Sequence, residues 1–130
     1  KIVLGNLSAK RDWGHAEDYV EGMWKILQHN KADDFVLATG KQYSVKKFID
    51  IVAKKLNLKL SWKEKGINTK AYVGKKCVLR CDEKYYRPLE VDTLLGDASK
   101  ARKVLNWKPK HNLEKLVDDM LNYEIKKYID

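Results

Sequence analysis

The chain has 130 residues, 44% hydrophobic, 10% aromatic and 35% charged, which suits one domain with a modest core and excludes both a two-domain enzyme and a disordered tail. Lys and Arg number 27 against 18 acids, a net charge of +9 that first suggests a polyanion partner. The basic residues are scattered, however, often as pairs such as Lys46-Lys47, Lys54-Lys55 and Lys126-Lys127; this fits solvated helix faces better than a nucleic-acid stripe, and no apolar run reaches the roughly 18 residues of a bilayer span, so neither nucleic acid nor membrane is expected as a partner.

Residues 1–7 predict a short strand. The opening Lys1-Ile2-Val3-Leu4 has neither an initiator Met nor the layout of a signal peptide, so an internal piece of a soluble, cytoplasmic protein is expected. A helix follows from about His15 to Gln28, with Ala16, Tyr19, Val20, Met23, Trp24 and Leu27 spaced along one face. Phe35-Val36-Leu37-Ala38 is an unbroken apolar run before Thr39-Gly40 and predicts a buried strand and a turn. Ser44 is placed to cap a helix from Val45 to about Leu56, with Val45, Phe48, Ile49 and Val52 inward.

Residues 59–63 alternate like a half-buried strand, residues 66–76 are polar without a clear pattern, and Cys77 to Asp82 alternate again. A short helix after an Asp97 cap ends before Trp107 and Pro109. Asn112 then caps a last helix reaching Tyr128, with Leu113, Leu116, Val117, Met120, Leu121 and Ile125 on one face.

Cys77 and Cys81 have no zinc-finger spacing, and on one strand their Cβ atoms stand too far apart for a disulfide, so reduced thiols are expected. His15, His29 and His111 include no pair spaced i, i+4 on a helix, which gives no reason to expect a metal ligand; a cap contact or solubility accounts for them. Two other stretches carry chemistry. In Tyr85-Tyr86-Arg87-Pro88-Leu89-Glu90-Val91-Asp92 a proline fixes the backbone between an arginine and two acids. Arginine occurs only four times in this lysine-rich chain, at 11, 80, 87 and 102; a fork that grips a diphosphate is one reason to use it, a surface salt bridge the other. The loop from Leu4 to Gly14 approaches a helix with Arg11, which suits a phosphate; equally, Asp12 could cap free N–H groups with Trp13 in the core.

Leu4-Gly5-Asn6-Leu7, Arg11-Asp12-Trp13-Gly14-His15-Ala16, Asp18-Tyr19-Val20, Ala38-Thr39-Gly40, Ser44-Val45, Tyr86-Arg87-Pro88, Glu90-Val91-Asp92, Leu95-Gly96-Asp97-Ala98-Ser99-Lys100-Ala101 and Trp107-Lys108-Pro109, in this order, closely resemble the C-terminal part of the GDP-mannose 4,6-dehydratase family, extended short-chain dehydrogenases/reductases. The resemblance implies an α/β segment, residues 1–130, that binds the nucleotide sugar and whose elements normally pack on a Rossmann-type domain. It implies for the parent protein an NADP-dependent lyase that converts GDP-mannose to GDP-4-keto-6-deoxymannose, a step of deoxysugar and GDP-fucose biosynthesis. By resemblance Arg11 and Arg87 grip the diphosphate, Glu90 contacts the nucleoside, and Asn6 and Lys10 share the substrate-facing loop.

The family's catalytic Tyr-x-x-x-Lys pair and Gly-rich cofactor loop have no counterpart here. Tyr43/Lys47, Tyr72/Lys76 and Tyr123/Lys127 match the spacing but lack that context. No catalytic and no cofactor-binding residue is therefore assigned, the segment alone is expected to bind no NADP and to be inactive, and the missing cofactor-binding portion is an expected partner; a homo-oligomer is compatible with the resemblance. The helix from His15 would then expose part of an apolar face, at Tyr19, Val20, Met23, Trp24 and Leu27, and the strand Phe35–Ala38 would keep an unpaired edge. The alternative is a non-catalytic module for nucleotide-sugar binding or interaction, and after it a basic nucleic-acid binder.

Overall fold

The computed structural model describes residues 1–87, 89 and 91–129. In chain order its elements begin with β1 (Ile2–Leu4), β2 (Lys10–Arg11), α1 (Ala16–Leu27), β3 (Tyr43–Ser44) and α2 (Val45–Lys55). They continue with β4 (Leu60–Lys63), β5 (Lys70–Val73), β6 (Lys76–Cys81), α3 (Ser99–Leu105) and α4 (Leu113–Ile129). The chain divides into two compact units, Lys1–Lys10 with Ser44–Thr93 and Arg11–Tyr43 with Leu94–Asp130.

The first unit is a mixed sheet with one helix. Strand order is β1-β6-β5-β4, with β1 parallel to β6 and the other pairs antiparallel. Ser44 caps α2 as its spacing predicts, its hydroxyl accepting the Lys47 N–H at 3.1 Å. The helix brings Val45 and Ile49 against Leu7, Ala71, Leu79 and Cys81, the buried centre of this unit. Leu79 and Cys81 alternate inward along β6, as a half-buried strand requires, and both thiols are free.

The patternless stretch 66–76 turns out to hold β5 and the turn of a hairpin. Gly74, at φ 57°, bends the chain between Val73 and Lys76, and a bulge at Ala71/Tyr72 shifts the register. The extra residue at that bulge is Val78 of β6, and β5 itself is only four residues long, too short for its alternation to stand out.

The second unit packs helices around Ala38, Ala98, Ala101, Leu105 and Trp107, with Tyr19, Ile26, Phe35 and Leu37 at its margin. Trp107 is 1% exposed, and its indole N–H donates to the Asp18 carbonyl at 2.8 Å. Gly22 lets α1 approach this centre: a Cβ there would meet the Leu37 side chain and the Trp107 indole. Asn106, at φ 48°, closes α3, and the Trp107 N–H returns to the Ala101 carbonyl at 3.2 Å. Asn112 caps α4 through the Lys115 N–H at 2.9 Å.

Two expectations need correction in this unit. Residues 35–38 form no strand: an apolar run makes a strand only beside a partner that completes its ladder, and here the run enters the core through Phe35, Leu37 and Ala38 instead. On α4, Leu113 and Val117 are buried, but Met120 and Ile125 are exposed, because the helix outruns the core it packs on.

Candidate functional site

Parallel pairing puts the C-terminal ends of β1 and β6 at one edge of the first unit's sheet, where loops of open α/β sheets diverge and leave room for ligands. The Asp82 N–H extends this pairing to the Leu4 carbonyl at 2.9 Å. Beyond Leu4 the backbone of Gly5 lies so close to the Tyr85 carbonyl that a Cβ would collide with it. Asn6 and the segment leading to Arg87 are thereby brought into neighbouring loops. Asn6 accepts the Ser8 N–H at 2.9 Å, which fixes its turn. Arg87 is exposed and follows a short 3₁₀ turn, Glu83–Tyr85, capped by Asp82.

The Lys84 N–H, and next the Arg80 guanidinium at 2.7 Å, hold the Asp82 carboxyl below the usual carboxylate range. Lys10 is fixed through its backbone, which donates to the Asp92 carbonyl at 2.8 Å and bridges to Thr93. Glu90 lies outside the described residues.

Arg11 belongs to the second unit. There it lines an open cleft of about 340 Å³ with Asp12, Tyr19, Leu94, Leu95 and Gly96, a volume at the lower end of the roughly 300–1,000 Å³ of small-molecule sites. Among the described lining residues Arg11 is the cation and Asp12 the anion, above apolar and aromatic walls. Asp12 does not cap α1. Its carboxylate accepts the Thr39 N–H at 3.0 Å, the Thr39 hydroxyl at 2.6 Å and the Gly40 N–H at 2.9 Å, so it anchors the loop beside Arg11. The cap is His15, whose Nδ1 accepts the Glu17 N–H at 3.2 Å. Trp13 is half-buried and donates from Nε1 to the Tyr43 carbonyl at 3.2 Å. Burial, followed by the charges of Asp12 and Asp18, pushes the Tyr19 phenol up, so it stays neutral in the cleft.

The cleft walls at Tyr19, Leu94 and Leu95 were not legible as site residues, because isolated apolar side chains carry no local signal of the cavity they face. Nor do these residues fit a dinucleotide cofactor. The glycine after β1 is spent on the approach to Tyr85, and no strand among the described residues runs into a Gly-x-Gly-x-x-Gly turn and a helix. Of the Tyr-x-x-x-Lys pairs, Tyr72/Lys76 spans the β5–β6 hairpin, and Lys127 lies over the Tyr123 ring on an exposed helix end.

A family model described as GDP-mannose 4,6 dehydratase matches residues 1–120. The chain belongs to this family. Among members of the GDP-mannose 4,6 dehydratase family it is 48% identical over 128 residues to GDP-mannose 4,6 dehydratase 2 of Caenorhabditis elegans, covering 95% of this chain and 33% of that protein. It is 45% identical to the human GDP-mannose 4,6 dehydratase over 127 residues, covering 94% and 33%. The chain thus spans about a third of the length of these relatives.

Its fold matches that of a UDP-glucose 4-epimerase of Thermotoga maritima solved with UDP-glucose, at TM-score 0.74 and 19% identity over 98% of this chain and 36% of that one. RMD of Pseudomonas aeruginosa, solved with NADPH, gives 0.72 and 16% over 93% and 34%. The mixed α/β fold is shared with these structures, of which the chain covers about a third. No helix among the described residues is long and apolar enough to cross a membrane.

Proposed function

We propose that this chain is the GDP-sugar-binding portion, residues 1–130, of an NADP-dependent GDP-mannose 4,6-dehydratase, a lyase acting in the cytoplasm, and that Arg11 and Arg87 hold the substrate diphosphate. The observation that carries this reading is the family match over residues 1–120, on a chain whose Asn6 and Arg87 loops adjoin at a sheet edge of the ligand-binding kind. Asn6 and Lys10 line the approach to the sugar nucleotide, and Glu90 accepts hydrogen bonds from the nucleoside. Hydride transfer requires an oriented nicotinamide and a general base, which belong to a separate cofactor-binding portion; the segment alone is inactive and binds no NADP.

The exposed apolar stripe Val20, Met23, Trp24 and Leu27 on α1 supports a packing surface for that portion. The experiment is reconstitution: the chain combined with the cofactor-binding portion of a relative should turn GDP-mannose over to a 4-keto-6-deoxy product, while the chain by itself should not. Turnover by the chain alone, or none by a combination shown to associate, would contradict the proposal.

A further inference from the structure

Two imidazoles and a carboxylate meet in the second unit at a place the nucleotide-sugar reading leaves unused. His15 caps α1, Glu17 lies in its first turn, and His111 stands just before α4. One ligating atom from each lies within 4.8 Å of the others. A fourth donor adjoins them, since Asp119 Oδ2 on α4 is 3.4 Å from His15 Nε2.

His111 is already oriented. Asp18, 2% exposed, accepts its backbone N–H at 3.0 Å and lies 2.9 Å from its Nδ1. A carboxylate only accepts, so a ring proton on Nδ1 meets Asp18, and this contact turns Nε2 outward. That nitrogen faces Glu17 Oε2 at 3.7 Å, on a side chain that is 76% exposed and so has room to turn. Carboxylate to imidazole Nδ1, with Nε2 outward, is the outer-shell arrangement that fixes metal-binding histidines.

We propose that His15, Glu17 and His111, with Asp119 as fourth donor, bind a borderline divalent transition-metal ion such as Zn²⁺. Imidazole nitrogens mixed with carboxylate oxygens suit this class, whereas Mg²⁺ and Ca²⁺ take oxygen donors and Cu⁺ takes sulfur. Zn–N and Zn–O bonds of about 2.0–2.2 Å need donor atoms roughly 3.4 Å apart, so closure requires movements of about an ångström. The rings, now stacked 4.3 Å apart at 25°, must open so that each in-plane lone pair meets the ion. His15 then carries its proton on Nδ1 and gives up the cap to Glu17, exchanging one hydrogen bond for a coordinate bond. Because His111 and Asp119 come from a different part of the chain than His15 and Glu17, the ion ties the start of α1 to α4.

The test is calorimetric titration of the tag-free chain with Zn²⁺ near neutral pH, alongside the visible spectrum with Co²⁺ and the thermal midpoint. The account expects one equivalent bound, Co²⁺ bands of a four-coordinate site, and a midpoint that rises with Zn²⁺ concentration. Glu17→Ala, at an exposed position, and His111→Asn should each weaken binding at least about tenfold, and His29→Ala, at a remote histidine, should not change it. Absence of saturable binding at millimolar Zn²⁺, or equal affinity in Glu17→Ala and the unaltered chain, would overturn the proposal.

Discussion

Asp18 holds three donors from one loop while nearly out of reach of water. Burial pushes its carboxyl up, but the His111 N–H, the His111 ring and the Lys110 N–H together outweigh that and hold it below the ordinary carboxylate value. A carboxyl whose folded pKa is depressed contributes stability above its unfolded pKa of about 3.9, and the contribution disappears as pH falls through the folded value. Thermal stability should therefore fall below about pH 4, and less steeply in Asp18→Asn. At neutral pH the same substitution should cost about 1.5–3 kcal/mol in urea unfolding, because one amide oxygen cannot serve every donor and the amide N–H₂ faces another donor. An unchanged urea midpoint would show that the loop is held elsewhere. Trp107, buried with its indole N–H on the backbone carbonyl of Asp18, should cost about 3–5 kcal/mol as Trp107→Ala by the same assay.

At the scale of elements, α1 turns Asp18, Tyr19, Gly22 and Ile26 inward and leaves a second apolar stripe outside. Val20, Met23, Trp24 and Leu27 are 58–76% exposed, more than isolated surface apolar residues would explain and in one helical stripe. The chain by itself should bind a hydrophobic dye or self-associate, and Trp24→Gln with Leu27→Gln should reduce both without lowering the thermal midpoint; a dye-negative monomer would show that the stripe is no packing surface. Ser44→Ala, which removes the cap of α2, should cost about 1 kcal/mol.

The helices were legible because their signals are local: Ser44 and Asn112 cap where their spacing places them, and the apolar faces repeat within one element. β5 was not, since its four residues are too few for an alternation to stand out in a polar stretch, and 35–38 was misread because strand formation depends on a neighbour that no local pattern reveals. Asp12 likewise looked like a cap, yet its partners Thr39 and Gly40 lie far along the chain. The close approach of Gly5 to Tyr85 had no signal in the sequence either, as nothing in the spacing of residues 5 and 85 announces it.

For the whole molecule, a chain that spans a third of its relatives holds two units, each with its own buried centre. In the proposed function the diphosphate grip is the part most exposed to test. Charge-assisted forks contribute about 1.5–3 kcal/mol each, roughly 10- to 100-fold in affinity. The decisive measurement is calorimetric titration of GDP-mannose into the chain assembled with a cofactor-binding portion, compared with Arg11→Lys and Arg87→Lys. Lysine keeps the charge and loses the fork, so the account predicts a 10- to 100-fold weaker Kd for each variant, the same loss with GDP, and no binding of free mannose. Unchanged affinity in both variants would contradict it.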